Sequence, residues 1–240
     1  MNELAKCLAE DLQSFSSKIS GSDVLIKTSS GYPKPPPFTV DIEIVKKTVR
    51  ICRELAAKKI SIIEGSTALD GARAISNILG FNSIEGVDFI DADDTAITKV
   101  PVEKRARWDY LYLPKIVLDS DFRISIAVLK IEDGAKFYSG VVKNLLGMPP
   151  RRIYRGKRPW ARGKLHQNLH ASILDLFKAA NFDYGILDAT VILQGMANMG
   201  KKQQLGKYYF GNDLIKIDRT ALSNAGYEQA FAPFTKYLPE

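Results

Sequence analysis

The chain has 240 residues, 45% of them hydrophobic and 25% charged, which suffices to bury the core of one large domain or two small ones. These proportions exclude disordered and fibrous classes, and no apolar run approaches the roughly 18 residues of a membrane span. The formal net charge of +7 equals the seven cations between Arg151 and Lys164, so the rest of the chain sums to zero. A negatively charged partner is therefore expected at one place, not over the whole surface. The opening residues alternate charge with apolar side chains, unlike a signal peptide, so a cytoplasmic protein without membrane association is expected. Cys7 and Cys52, 45 positions apart, form neither a disulfide framework nor a cysteine metal motif.

In chain order, Val24–Lys27 reads as a short buried strand that runs into a stiff, extended, proline-rich loop ending near Phe38. Asp41 to Lys58 carries apolar residues at three- and four-residue steps (Ile42, Val45, Val49, Cys52, Ala56). It predicts an amphipathic helix capped by Thr39 or Asp41. Ile60–Ile63 is the next strand, followed by Glu64-Gly65-Ser66-Thr67 and a helix over 68–79 that Gly80 closes. Val87–Ile90, Tyr110–Leu113 and Ile124–Leu129 predict further strands. Phe137–Leu146 predicts a helix ended by Gly147, and His166–Ala180 another amphipathic helix. Tyr184–Leu193 suits a central strand, and Tyr208–Phe210 one more. Alternating strands and helices predict an α/β fold: a mostly parallel or mixed sheet flanked by helices, with a long basic loop at the cleft. One domain over 1–240 is expected, with a lobe change, if any, near 100–120. Such sheets bind ligands beyond the carboxyl ends of their strands.

Lys143 and Asn144 interrupt the apolar pattern of Tyr138–Gly147. On a helix, Ser139, Gly140 and Lys143 would share one side. A lysine there is placed to lose hydration, which suits a phosphate clamp, a Schiff-base former or a general base; an ordinary surface lysine is the plain alternative. The run Arg151–Lys164 offers Arg151, Arg152, Arg155 and Arg158 beside Tyr154 and Trp160, a composition suited to phosphate recognition with ring stacking. The same residues also suit a solvated basic loop. His166 and His170, four apart, point to acid–base chemistry or an anion contact in preference to a metal pair, since no third ligand is evident. Glu64, Gly65 and Ser66 follow a strand as an anion-receiving turn would, although Ser66 or Thr67 as a helix cap explains them equally. Asp91, Asp93 and Asp94 suit a hard cation or a simple acidic turn. Asp188 at a strand exit, Gly195 in the loop beyond it, Asp213 and Asp218 would complete one side of a cleft.

In order along the chain stand D-V-L-I-K, A-V-L-K, S-G-V-V-K-N-L-L-G, L-H-Q-N-L-H-A-S-I-L-D-L, I-L-D-A-T…Q-G-M-A-N-M-G and G-N-D-L-I-K-I-D-R-T-A-L-S-N-A-G. This set resembles the domain-of-unknown-function family 362 from about Val24 to Gly226. Members often carry a fused ferredoxin-like domain, so the resemblance implies redox metabolism, but this chain has no such cysteines. Where many members read K-x-H, this chain has Lys130, Ile131 and Glu132; where they read K-P-N, it has Lys27, Thr28 and Ser29. Y-S-G-V-V-K-N-L-L-G is also similar to a stretch of the lactate racemase family, whose lysine anchors a nickel pincer cofactor. Carried across, Lys143 would be the anchor and His166 or His170 a ligand or base, although that family's other histidines are missing.

The leading functional expectation is a small-molecule enzyme or cofactor-binding protein of redox metabolism, an oxidoreductase or isomerase if an enzyme. It would take a phosphate or carboxylate ligand, with Lys143, Asn144 and His166 at the chemistry. Lys27, Ser29, Glu64, Gly65, Ser66, Lys130, Ser139, Gly140, the arginines, Asp188, Gly195 and Asp213 would bind the ligand. The alternatives are a nucleic-acid module using 151–164 and an accessory protein docking a separate ferredoxin. No cofactor, substrate or oligomeric state follows from the sequence.

Overall fold

The structure, a computed structural model, describes residues 3–67, 70–132, 137–157, 162–195 and 200–238. The chain opens with helices α1 (Glu3–Gln13) and α2 (Ser16–Ile19), then strand β1 (Asp23–Thr28). The elements α3 (Ile42–Glu54), β2 (Lys59–Glu64), α4 (Ala72–Leu79) and β3 (Asp88–Asp91) follow. An antiparallel hairpin, β4 (Ile97–Pro101) and β5 (Tyr110–Pro114), leads through α5 (Lys115–Asp119) to the long strand β6 (Phe122–Glu132). Then come β7 (Phe137–Ser139), α6 (Val141–Asn144), α7 (Arg151–Tyr154), α8 (Gly163–His166) and α9 (Leu169–Ala180). Strands β8 (Tyr184–Gln194) and β9 (Lys201–Gly211) and helices α10 (Leu214–Asn224) and α11 (Ala232–Thr235) complete the chain.

Among the described residues the main sheet has seven strands, ordered β3-β2-β1-β6-β8-β9, with β7 pairing antiparallel to the end of β6. β3, β2, β1, β6 and β8 run parallel and β9 antiparallel, which makes the fold α/β. Strand order grows outward to one side through β2 and β3, and to the other through β6 and β8. The reversal lies between β1 and β6, where an open sheet forms a crevice at its carboxyl edge. Alternate side chains of the central strands feed two cores. Val24, Ile26, Ile62 and Ile124 meet Leu8, Ile44 and Val49 of α1 and α3 on one face. Leu25, Ile63, Leu129 and Leu187 meet Val141, Ile173 and Leu222 on the other. No described helix is long and apolar enough to cross a membrane.

Four local expectations are corrected. Phe137–Ser139 is a strand, not the start of a helix, because the long β6 presents a free edge to it. The helix begins only at Val141, where the buried Asp218 carboxylate accepts the N–H groups of Val141 and Val142 at 2.8 and 3.0 Å. His166 and His170 do not share one helix, since Asn168 at φ 54° separates α8 from α9. Neither Ser66 nor Thr67 caps α4: its first turn begins at Gly71, and Asp91 accepts the Ala72 N–H at 2.9 Å. The α3 helix is capped by Asp41, which accepts from the Glu43 N–H, whereas the Thr39 hydroxyl donates to the Lys34 carbonyl.

Residues 97–119 hold the β4–β5 hairpin and α5, whose Val100, Leu111, Leu113 and Val117 join the second core. The turn of the hairpin is fastened by one side chain. Asp175 of α9, fully buried, accepts the backbone N–H groups of Ala106, Arg107 and Trp108 at 2.6, 2.7 and 2.7 Å. Replacing it with Ala strands those donors, so Asp175→Ala is expected to lower the stability in urea by about 3 kcal/mol. A loss below about 0.5 kcal/mol, within the scatter of surface changes, would show that the turn holds without it.

Candidate functional site

At the reversal of strand order a polar knot replaces the apolar core. Lys27, the fifth residue of β1, is 1% exposed. Its Nζ donates to Glu64 at 2.6 Å, to Asn144 Oδ1 at 3.0 Å and to the Thr28 carbonyl. Three donors thus meet three acceptors. Burial pulls the Lys27 pKa below its usual value, against the opposing charge of Glu64. Glu64 in turn accepts from the N–H groups of Ser30 and Gly65 at 2.7 and 2.9 Å. Asn144 completes the knot from α6, its amide donating to the Lys27 carbonyl, Ser125 Oγ and the Ile126 carbonyl at 3.0–3.2 Å. Asn144 and Lys27 therefore tie β1, β6 and α6 together. Gly147 lies against this knot, and a Cβ there would stand 2.8 Å from Glu64 Oε1.

Beside the knot opens a cavity of about 330 Å³, lined by residues of β1, β2, β6, α6 and the proline-rich loop. Of the residues expected from sequence, it brings together Lys27, Ser29, Glu64, Gly65, Lys130, Ser139, Gly140, Lys143, Asn144 and His166. Lys130, from the far end of β6, is 5% exposed, and its Nζ donates to the Phe38 carbonyl at 2.6 Å. Burial pulls its pKa down to about 8; Glu132 opposes that fall and Lys143 adds to it. Lys143 bonds to Glu132 at 3.0 Å and to Ser139 Oγ at 3.3 Å, and Ser139 donates to the same carboxylate oxygen at 2.7 Å. Burial favours the neutral Glu132 carboxyl, but the charge of Lys143 and these hydrogen bonds outweigh it and hold its pKa below the usual range. His166 borders the cavity with its Nδ1 3.0 Å from the Arg162 carbonyl.

The cationic run divides instead of forming one loop. Arg151 binds Asp93 through its backbone N–H and Nε at 2.6 and 2.5 Å, and Arg152 reaches the Asp93 carbonyl at 3.0 Å. Asp93 is thereby an internal anchor and not a cation ligand. Arg162, 3% exposed, donates to the carbonyls of Pro149 and Ser66 and approaches Asp93 at 3.5 Å. It lies so close behind Gly65 that a Cβ there would stand 2.2 Å from its guanidinium. Among the described cations of the run, only Arg162 lines the cavity; Arg151, Arg152 and Arg155 do not, and Arg158 lies outside the described residues.

The remaining expected residues are spent locally. Ser66 is fully buried and lends its carbonyl to Arg162. Asp188 accepts from the N–H and hydroxyl of Thr190. Gly195, at φ 108°, turns the chain after β8, and Asp213 caps α10 by accepting the Lys216 N–H at 2.9 Å. None of the four lines the cavity. Asp218, whose pKa burial raises to about 7, sits behind Gly140 as the acceptor for α6.

Sequence reasoning passed over Glu132, Arg162, Tyr32 and Phe38 as site residues, all of which line the cavity. Glu132 had a signal, since Lys130 and Glu132 are two apart on a strand and so share a face. Phe38 had none, because it contributes a backbone carbonyl from 92 residues away. Three or more His, Cys, Asp or Glu side chains grouped to hold a metal are absent among the described residues. The lysine-anchored nickel cofactor fits poorly too. Lys143, the residue that would anchor it, is already paired with Glu132 at 3.0 Å. Of the two histidines, His170 stands off the cavity between the rings of Phe137 and Phe234.

In fold, the chain is similar to the lactate racemase apoprotein from Thermoanaerobacterium thermosaccharolyticum. The TM-score is 0.58 at 15% sequence identity, over 92% of this chain and 55% of that one. The chain thus spans about half the length of that structure. No curated protein is matched by the sequence. The model of the family described as domain of unknown function DUF362 matches residues 24–223, a span that takes in the main sheet, the polar knot and the three lysines that line the cavity. The chain belongs to the DUF362 family.

Proposed function

We propose that the protein is a small-molecule enzyme or cofactor-binding protein whose ligand brings a carboxylate or phosphate to Lys130. One observation carries this reading. Lys130 is buried at the cavity wall and, among the described residues, its Nζ makes one hydrogen bond, to a carbonyl, while Lys27 and the half-buried Lys143 are each matched by a carboxylate. A desolvated ammonium without a tight counter-ion is unfavourable, and an anion entering the cavity relieves that cost. The cavity volume suits a compact molecule. Tyr32, Phe38, Val128 and Leu146 supply apolar wall for its uncharged part. With its pKa near 8, Lys130 is also able to give up or accept a proton close to neutral pH. His166 stands at the same rim.

The first test is calorimetric titration with a panel of small carboxylates and phosphates, because ligands of the folded state alone also raise its melting temperature. Lys130→Met is expected to weaken the best anion about 10- to 100-fold, the worth of a hydrogen bond to a charged group. An unchanged affinity in a folded variant would sink the assignment. Glu132→Gln removes a carboxylate from the wall and releases Lys143, so it is expected to tighten the same anion several-fold. Weaker binding would instead make Glu132 a ligand contact.

Titration of Lys130 sets two pH profiles. Anion affinity is expected to be full below pH 8 and to fall above it, as the ammonium is lost. Stability without ligand runs the other way. Between about 8 and the ordinary lysine value of 10.5 the unfolded chain keeps a proton that folded Lys130 has released. Stability therefore rises with pH across that window. The rise in the wild type, measured as the difference from Lys130→Met, should vanish in the variant. A difference curve that stays flat from pH 7 to 10.5 would contradict a depressed pKa at this position.

A further inference from the structure

A second cavity, of about 260 Å³, lies outside the site described above, between the β4–β5 hairpin and the start of the cationic run. Its walls are rings and cations: Trp108, Tyr110, Tyr112 and Tyr154 with Arg107 and Lys164. Strand alternation turns Leu111 and Leu113 of β5 into the core and Tyr110 and Tyr112 to the opposite face. A solvated strand face ordinarily carries polar side chains; here it carries two tyrosines, and Tyr110 is 40% exposed. Their rings meet edge to face at 5.6 Å. Neither hydroxyl has a hydrogen-bond partner among the described residues, unlike that of Tyr154, which accepts the Tyr112 N–H at 2.7 Å.

The cations are placed on the rings. Lys99, paired with Tyr112 across the hairpin, puts its Nζ 3.7 Å from the centre of the Tyr110 ring. Arg107 lies 4.7 Å over Trp108. Lys164 reaches the Ile153 carbonyl from the exposed rim. The one carboxylate of the cavity wall, Asp109, is already paired with Arg105. Arg107 also donates to Ser172 Oγ at 3.3 Å and Gln167 Oε1 at 3.4 Å, but no carboxylate pairs with it or with Lys164 among the described residues. Rings each carrying a cation on one face, cations without a carboxylate partner and room for a single ring system together describe a site for an aromatic ring that carries negative charge.

We propose that this pocket binds one nucleobase with its phosphate, the base against Tyr110 and Tyr112 and the phosphate towards Arg107 and Lys164. The same chemistry is presented by a free nucleotide and by one residue of a single-stranded nucleic acid.

Titration calorimetry with adenosine 5′-monophosphate, ribose 5-phosphate and a short oligouridylate, each at low and high salt, tests it. The base-bearing ligands are expected to bind, and ribose 5-phosphate to bind at least tenfold more weakly than the monophosphate. Tyr110→Ala, exposed and so expected to fold, should weaken binding about tenfold, within the range for losing one base–ring stack. Tyr110→Phe should retain it. Equal affinities for the monomer and the oligomer indicate a free nucleotide. A tighter, strongly salt-dependent oligomer indicates a nucleic acid. Absence of binding by both, ribose 5-phosphate binding as well as the monophosphate, or indifference to Tyr110→Ala would each overturn the proposal. So would loss of binding in Lys130→Met, which would put the nucleotide in the other cavity.

Discussion

The site depends on one buried interaction, the pairing of Lys27 with Glu64 and Asn144. Two charges taken out of water at the centre of an α/β sheet are costly unless every donor finds an acceptor. Here each does, and the partners come from β1, β2 and α6. The knot therefore fixes where three elements stand relative to one another at the edge where the strand order reverses. Breaking one member leaves the others uncompensated, a loss larger than that of the contact itself.

That fixed edge explains the composition of the cavity beside it. Lys27 and Asn144 have their polar groups taken up within the knot, and Lys143 is paired with Glu132 and Ser139. What remains unbalanced is Lys130, delivered by a strand long enough to outrun its neighbour β1. The lysine expected to do the chemistry and the lysine without an ion pair among the described residues are thus different residues. Only the distances separate them.

The cationic run shows how charge in a sequence divides in a fold. Seven cations in fourteen residues read as one anion-binding loop. In the structure Asp93 gathers Arg151 and Arg162, backbone carbonyls take further guanidinium donors, and Lys164 falls to the rim of a second, ring-lined pocket. Net charge located the neighbourhood correctly, yet said nothing about which cations are internally matched, because the matching acid lies 58 residues upstream of Arg151.

Sequence by itself determined the α/β class, six of the seven strands of the main sheet and the helices α3, α4 and α9 in outline. These rest on local periodicity and on stop signals such as Gly80, which ends α4 at φ 83°. It also placed most of the cavity lining, because residues at the carboxyl ends of parallel strands share one edge whatever the details. It misread Phe137–Ser139 as helix, since a free strand edge outweighs helical spacing over three residues. It joined His166 to a helix that Asn168 breaks. Only the tertiary structure decided the roles. Whether a lysine is a clamp, an ion-pair partner or an unmatched charge depends on which acceptors reach its Nζ. Those acceptors, Glu64 for Lys27 and the Phe38 carbonyl for Lys130, come from segments 37 and 92 residues away.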